Sequence, residues 1–82
     1  MSRETLVAIR AALLAMPEGL SASRAAEIIG ASRVTARRYL EYLAESGGCE
    51  REPVYGRTGR PELVYRARPP RDGQGPGTRP NP

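Results

Sequence analysis

Three arginines, Arg33, Arg37 and Arg38, stand in the first turns of a segment whose residue spacing predicts a helix over residues 33–46. The amino end of a helix carries a partial positive charge, so each arginine there should destabilise the isolated helix by roughly a few tenths of a kcal/mol. Guanidinium groups donate paired hydrogen bonds to phosphate oxygens and to the O6 and N7 atoms of guanine. The pattern therefore predicts a helix that receives an external anion, and phosphate is the favoured anion.

A helix of this composition is typical of the element that DNA-binding proteins insert into the major groove. The side chains expected at base edges are Arg33, Val34, Arg37 and Arg38. Arginine can donate two hydrogen bonds to guanine, and a valine side chain suits the methyl group of thymine. Hydroxyl groups near helix starts are better placed for phosphate oxygens, and they belong to Ser23, Ser32 and Thr35.

Glu41 offers another explanation for two of these arginines, because it follows Arg37 by four residues and Arg38 by three. That spacing permits ion pairs within the helix, and Glu41 would then share the outward face with both arginines. An arginine that precedes its glutamate is in the poorer orientation, worth about 0.2–0.3 kcal/mol. Contact with DNA is therefore the favoured interpretation for Arg37 and Arg38.

The composition argues against several classes of site. The 82 residues contain no histidine and a single cysteine, Cys49, which removes Cys/His zinc sites and Ser-His-Asp triads. We therefore expect no enzyme activity, no metal and no cofactor, with Cys49 a small strand residue rather than a reactive thiol. Because the chain also lacks an apolar span and a signal-peptide pattern, a cytoplasmic location without a membrane partner is predicted.

The net charge of +4 is unevenly distributed along the chain. Residues 1–32 contain three arginines and three glutamates, whereas residues 33–68 contain eight arginines and five glutamates. Lysine is absent, so a GC-rich coding bias also accounts for part of the arginine content. The basic second half predicts a side that faces a polyanion.

Three helices are predicted before the strands. The first spans residues 3–16 after the N-cap Ser2, and the second spans residues 22–29, between Ser21 and Gly30. The third, over residues 33–46, begins directly after Gly30 and a short turn. Two helices joined so closely through a glycine form a helix-turn-helix.

Apolar positions on these helices predict the core. The inward-facing residues are Leu6, Ile9, Leu13 and Met16 in the first helix and Ala25, Ala26, Ile29, Ala31, Ala36, Tyr39, Leu40 and Leu43 in the helix-turn-helix. Tyr42, like Tyr39, is expected to pack rather than to stack on a base. Val7 and Leu14 form a second stripe on the first helix, which either extends the core or docks another copy or another domain.

Two short strands are predicted after the helices, over residues 49–55 and 62–66, with Leu63 and Tyr65 facing inward. A hairpin in this position is a wing, and Arg57 and Arg60 at its tip are expected to reach the adjacent minor groove or its phosphates. The predicted fold is thus mainly α with a small β-hairpin, a winged helix-turn-helix domain over residues 1–68. Residues 69–82 are rich in proline and glycine, and a disordered tail is predicted there.

Residues 20–66 resemble the winged helix-turn-helix output domain of bacterial citrate/malate (C4-dicarboxylate) two-component response regulators. The resemblance is carried by Ser32-Arg33-Val34-Thr35-Ala36-Arg37-Arg38-Tyr39-Leu40-Glu41-Tyr42-Leu43 and by Tyr55-Gly56-Arg57-Thr58-Gly59-Arg60-Pro61-Glu62, closed by Tyr65-Arg66. The wing run is shared by many winged-helix regulators, whereas the helix run is more specific. The resemblance implies a sequence-specific transcription regulator whose partners are double-stranded DNA and, through an N-terminal receiver domain, a cognate sensor kinase; a homodimer is the expected form on DNA.

Residues 1–71 contain no aspartate, so the predicted domain has no candidate phosphoacceptor. We therefore expect this domain to be the output part of a longer regulator that carries the receiver domain. A stand-alone small winged-helix repressor is one alternative. Another is a winged-helix module that docks a protein through Val7 and Leu14, or through the wing, and does not bind DNA.

Overall fold

The computed structural model describes residues 1–55 and 61–68. Its elements are, in chain order, α1 (Arg3–Ala15), β1 (Leu20–Ser21), α2 (Ala22–Ile29), α3 (Arg33–Glu45), β2 (Cys49–Tyr55) and β3 (Pro61–Ala67). The three strands form an antiparallel sheet in the order β1-β3-β2. This mainly helical architecture with a small sheet confirms the predicted winged helix-turn-helix fold.

Each helix begins after a serine that caps it. The hydroxyl oxygens of Ser2, Ser21 and Ser32 accept hydrogen bonds from the backbone N–H three residues later, at 3.3, 3.1 and 3.1 Å. A serine cap of this kind stabilises a helix by about 1 kcal/mol. The predicted helix starts are confirmed, and the predicted helix ends agree to within one residue.

The turn between α2 and α3 depends on Gly30. Its φ of 68° lies in the left-handed region, which a glycine adopts without steric cost. The N–H of Ala31 then donates to the carbonyl of Ala26 at 3.0 Å and closes the turn. Ala31 itself is exposed, so its predicted inward orientation is wrong. The reversal of the chain at Gly30 leaves the following side chain on the outside of the turn.

The core lies between the three helices and the inner face of the sheet. Its buried residues are Ile9, Leu13, Leu20, Ala25, Ala26, Ala36, Tyr39, Leu40, Leu43, Cys49 and Tyr65. Leu6, Met16 and Ile29 pack against them while partly exposed. Except for Leu20, whose burial was not predicted, these positions confirm the predicted core, including Cys49 as a small strand residue.

The second apolar stripe of α1 is not part of this core. Val7 and Leu14 are 61% and 73% exposed. Interpretation of this stripe as additional core is therefore wrong, because Ile9 and Leu13 already turn the other side of α1 inward. Docking of another copy or domain on Val7 and Leu14 stays a prediction.

Strand β1 was not predicted. Leu20 and Ser21 pair with Tyr65 and Val64 on the free edge of β3. The approach is close, since a Cβ atom on Gly19 would lie 3.0 Å from a methyl carbon of Val64. Gly19 has a φ of 119°, so a larger residue there would be strained in its backbone as well. Val64 is half-buried as a result.

The two strands of the wing are confirmed, with β3 one residue longer at each end than predicted. Cys49 pairs with Ala67 and Tyr55 with Pro61 in a continuous antiparallel register. The wing-tip residues Arg57 and Arg60 lie outside the described residues. The prediction of a disordered tail over residues 69–82 also falls outside them.

Candidate nucleic-acid interface

The outer face of α3 is the largest concentration of predicted contact residues. Helical geometry places Val34, Arg37 and Arg38 on the side of α3 that faces away from the buried stripe, whereas Arg33 lies near the edge of that stripe at the helix start. All four side chains are exposed, and Val34 is 73% exposed. The structure therefore brings together Arg33, Val34, Arg37 and Arg38 on a single accessible surface, which we call the α3 outer face.

The arginines of this face have no acidic partner in the part of the chain that the structure describes. Within residues 1–55 and 61–68, no carboxylate oxygen lies within 4.0 Å of the guanidinium nitrogens of Arg33, Arg37 or Arg38. Each guanidinium group carries five N–H donors in a planar fork. Those donors are thus available to an external acceptor.

Glu41 does not pair with Arg37 or Arg38, which corrects one of the interpretations considered from the sequence. Its carboxylate accepts hydrogen bonds from Nη2 and Nε of Arg51, at 2.7 and 2.9 Å to Oε1, and from Nε at 3.1 Å to Oε2. The hydroxyl of Tyr65 donates to Oε2 at 2.6 Å. Glu41 is also half-buried rather than fully outward-facing, because β2 and β3 lie over it.

This cluster of Glu41, Arg51 and Tyr65, called here the α3–hairpin cluster, has a clear electrostatic consequence. The hydrogen bond from Arg51, followed by that from Tyr65, lowers the pKa of Glu41 below its usual value. Burial, followed by the hydrogen bond to Glu41, raises the pKa of Tyr65 to about 12. At neutral pH the carboxylate is therefore charged and the phenol is protonated.

Sequence reasoning missed the α3–hairpin cluster because its members are 10 and 24 residues apart. The signal that could have found it is the register of the hairpin. Pairing of Cys49 with Ala67 places Arg51 directly opposite Tyr65, so both side chains lie on the same face of the sheet. That face is the one that packs on α3.

The other described arginines of the hairpin are also paired. Arg66 lies 2.8 Å from Glu52, and Arg68 lies 3.3 Å from Glu50, both across the β2–β3 ladder. These pairs are roughly half-exposed, so each contributes little stability, about 0–1 kcal/mol. They do, however, neutralise the local charge of the hairpin.

The hydroxyl groups at the start of α3 form a local pair. Ser32 accepts from the backbone N–H of Thr35 and donates its own proton to Oγ1 of Thr35, both at 3.1 Å. The proton of the Thr35 hydroxyl is left for another acceptor. Ser23, in the first turn of α2, is exposed.

Two open grooves border the α3 outer face. One, of about 410 Å³, lies between the start of α2, α3 and β3, and its lining includes Ser23, Arg33, Arg37 and Tyr65. The other, of about 530 Å³, follows α3 from Val34 to Glu45. Together they make the face accessible along its whole length.

The two tyrosines of α3 have different environments. Tyr39 is buried, and its hydroxyl oxygen accepts a hydrogen bond from the backbone N–H of Ser2 at 2.9 Å. Tyr39 therefore packs as predicted and joins the start of α1 to α3. Tyr42 is 48% exposed and lines the second groove, so it packs only in part, and its expected role as a packing residue rather than a base stacker stays a prediction.

Two kinds of feature are absent from the residues that the structure describes. Among them, no helix is long and apolar enough to cross a membrane. No group of three or more His, Cys, Asp or Glu side chains in residues 1–55 and 61–68 could hold a metal ion.

Several known transcriptional regulators are similar to this chain in sequence. The transcriptional regulatory protein CitT of Bacillus subtilis is 49% identical over 61 residues, which cover 74% of this chain and 27% of CitT. The probable C4-dicarboxylate response regulator DctR of the same organism is 42% identical over 61 residues, with the same coverage of each chain. The transcriptional regulatory protein CitB of Klebsiella pneumoniae is 47% identical over 45 residues, 55% of this chain and 19% of CitB.

The chain thus spans 19–27% of the length of these three relatives. No solved structure gives a significant match. The family model described as the DpiA-like helix-turn-helix domain matches residues 5–68, which include α2, α3, the described strands and all but the first two residues of α1. This chain belongs to the DpiA-like helix-turn-helix family, in agreement with the resemblance identified from residues 32–43 and 55–66.

Proposed function

We propose that this domain binds double-stranded DNA sequence-specifically and serves as the output domain of a two-component response regulator. The observation that carries the proposal is the α3 outer face. It presents three arginines without an acidic partner among the described residues, beside one exposed valine. A helix with such a face fits the major groove in width and in charge.

Base recognition is assigned to four side chains of this face. Arg37 and Arg38 are placed to donate two hydrogen bonds each to O6 and N7 of guanine. Arg33, one turn nearer to the helix start, approaches the same groove or its flanking phosphate. Val34 is 73% exposed and suits the methyl group of a thymine.

Phosphate contacts are assigned to the hydroxyl groups at the helix starts. Thr35 is the better donor of the capping pair, because Ser32 already donates its proton to Thr35. Ser23 is exposed at the start of α2, where the helix dipole also favours an anion. These contacts would set the orientation of the domain on DNA without reading its sequence.

The wing is assigned a supporting contact. Arg57 and Arg60 lie between β2 and β3 in the sequence, outside the described residues. Guanidinium groups on a wing reach the minor groove beside the recognition helix, or its phosphates. Their contribution would be largely independent of sequence and sensitive to salt.

The regulatory part of the proposal concerns the longer protein. DctR is named a response regulator, and CitT and CitB are named transcriptional regulatory proteins. Extended to this chain, those names support an N-terminal receiver domain that is phosphorylated by a sensor kinase in the cytoplasm. A single domain of this size binds DNA weakly, so we expect a homodimer on paired half-sites.

One observation favours a second candidate function. Val7 and Leu14 form an exposed apolar stripe on α1, which suits a protein partner. A winged-helix module that binds protein alone would not be retained on a nonspecific duplex or on heparin. Retention that weakens as salt rises would instead support DNA binding, including binding by a stand-alone repressor.

The direct test measures fluorescence anisotropy with duplexes selected from a randomised library. Arg37→Ala and Arg38→Ala should each weaken binding by about 1–3 kcal/mol while the free energy of unfolding stays nearly unchanged. Arg10→Ala, an exposed arginine of α1, is the control for loss of one charge. Unchanged affinity in both α3 variants would overturn the proposal.

A further inference from the structure

The carboxylate of Glu41 is fully engaged by the hairpin. Oε1 accepts from two nitrogens of Arg51, and Oε2 accepts from Nε of Arg51 and from the hydroxyl of Tyr65. All of these distances lie between 2.6 and 3.1 Å. The single acidic group in the middle of α3 is thereby turned toward β2 and β3.

Without these partners, Glu41 would have two others on its own helix. Arg37 precedes it by four residues and Arg38 by three, and both spacings bring side chains into contact on a helix surface. Arg37 is already close enough for its positive charge to contribute to the lowered pKa of Glu41. Without Arg51, Oε2 would keep the hydrogen bond from Tyr65, whereas Oε1 would lose both of its donors. Oε1 would then be free to accept from Arg37 or Arg38, which would bring negative charge to the α3 outer face.

We propose that Arg51 is a positioning residue for DNA recognition: by binding Glu41, it keeps that carboxylate from pairing with Arg37 and Arg38 and leaves both guanidinium groups available to DNA. This inference rests on the proposed function. It assigns to the hairpin a role in the behaviour of the recognition helix, in addition to the contact expected at the wing tip.

A purely structural role explains this cluster less well. The side chains of Arg51 and Glu41 are 41% and 29% exposed, and solvent screens an ion pair with such exposure, so its contribution to folding stability is small. Tyr65, by contrast, is 1% exposed and belongs to the core. Removal of the Arg51 side chain should therefore leave the domain folded, and its effect should appear in DNA binding.

The test is a double-mutant cycle on the intact chain, measured by anisotropy with one selected duplex. It compares Arg51→Ala with Arg51→Ala made in the Glu41→Gln background. Arg66→Ala is the matched control, because Arg66 lies in the same hairpin, pairs with Glu52 at 2.8 Å and has a similar exposure of 47%. Arg51→Gln serves as a second variant that retains more of the side chain, and circular dichroism checks that each variant is folded.

The proposal predicts that Arg51→Ala weakens DNA binding about fivefold to tenfold. This loss of affinity is smaller than that expected when an arginine that contacts a base is itself removed. The same substitution in the Glu41→Gln background should change affinity less than about twofold, since no carboxylate is left to release. Arg66→Ala should also stay within about twofold of the wild-type protein. Rescue by Glu41→Gln is a readout that simple destabilisation would not produce.

Two results would overturn the inference. If Arg51→Ala weakens binding equally in both backgrounds, Arg51 contacts DNA itself or acts through stability. If Arg51→Ala behaves like Arg66→Ala, Glu41 does not compete for the arginines of α3. Failure of the proposed function is distinguishable from both, because Arg37→Ala would then leave the affinity unchanged.

Discussion

The arginines of α3 and the described arginines of the β2–β3 hairpin, Arg51, Arg66 and Arg68, are in opposite situations although they are the same residue type. In the hairpin, Arg51, Arg66 and Arg68 lie 2.7, 2.8 and 3.3 Å from glutamate oxygens. In α3, none of the three arginines has an acidic oxygen within 4.0 Å among residues 1–55 and 61–68. Among the described residues of the second half of the chain, the arginines without an acidic partner are thus concentrated on α3.

This difference separates two uses of arginine within a small domain. In the hairpin, guanidinium groups connect strands to each other and to α3, and their charge is offset inside the protein. On α3, the same groups expose their N–H donors to solvent. Their positive charges near the amino end slightly destabilise the helix through its dipole. A count of eight arginines against five glutamates cannot reveal that division, because it depends on which charges meet in three dimensions.

Among the substitutions that test this comparison, a change at Tyr65 is expected to have the largest effect on the free energy of unfolding. Tyr65→Phe removes a 2.6 Å hydrogen bond to a charged carboxylate, and such bonds contribute about 1.5–3 kcal/mol. Urea unfolding should detect this loss. DNA affinity should change little, because Arg51 still holds Glu41 in the variant.

Tyr42→Phe is the control for Tyr65→Phe, since Tyr42 is 48% exposed on α3. Its free energy of unfolding should stay within about 0.5 kcal/mol of the wild-type value. Equal effects of the two substitutions would show that the bond between Tyr65 and Glu41 does not stabilise the contact between the hairpin and α3.

Acidification is expected to have a smaller effect on the free energy of unfolding. The pKa of Glu41 is lower in the folded protein than its ordinary value of 4.5, which it regains on unfolding. The stability contributed by its ionised form is therefore present above pH 4.5 and is lost as the pH falls through the folded pKa. Glu41→Gln should remove this part of the acid sensitivity, as measured by urea unfolding at pH 6 and at lower pH.

Glu45→Gln provides the comparison for the pH experiment. Glu45 is exposed on the same helix and makes no ion pair with the arginines of the described residues. Its substitution should leave the acid dependence of unfolding as in the wild-type protein. Identical pH profiles for Glu41→Gln and the wild-type protein would contradict the assignment of a stabilising charge to Glu41.

Local features of the sequence predicted most of the fold. Ser2, Ser21 and Ser32 marked helix starts because a serine cap depends only on the next few residues. The alternation of apolar and polar residues around Tyr65 indicated β3, because such a pattern also depends only on residues close in the sequence. The buried faces of α2 and α3 also followed from helical spacing, with Ala31 the exception at the turn.

Features that depend on contacts distant in sequence were not predictable in this way. β1 has only two residues and exists because β3 offers a free edge to Leu20 and Ser21. The sequence offered only Arg37 and Arg38 as possible partners of Glu41, because helical spacing reveals neighbours on the helix and not those on a packed hairpin. The guanidinium of Arg51 and the phenol of Tyr65 bind the Glu41 carboxylate in preference to an arginine of α3, because an ion pair within the helix would be poorly oriented.

One titration can test whether the arginines of α3 bind DNA while Arg66 and Arg68, which pair with glutamates of β2, do not. The Nε–H signals of arginine side chains are followed by two-dimensional ¹H–¹⁵N NMR as a selected duplex is added. The account predicts that the signals of Arg33, Arg37 and Arg38 shift or broaden, while those of Arg66 and Arg68 stay in place. Shifts at Arg66 and Arg68, with the α3 signals unmoved, would contradict it.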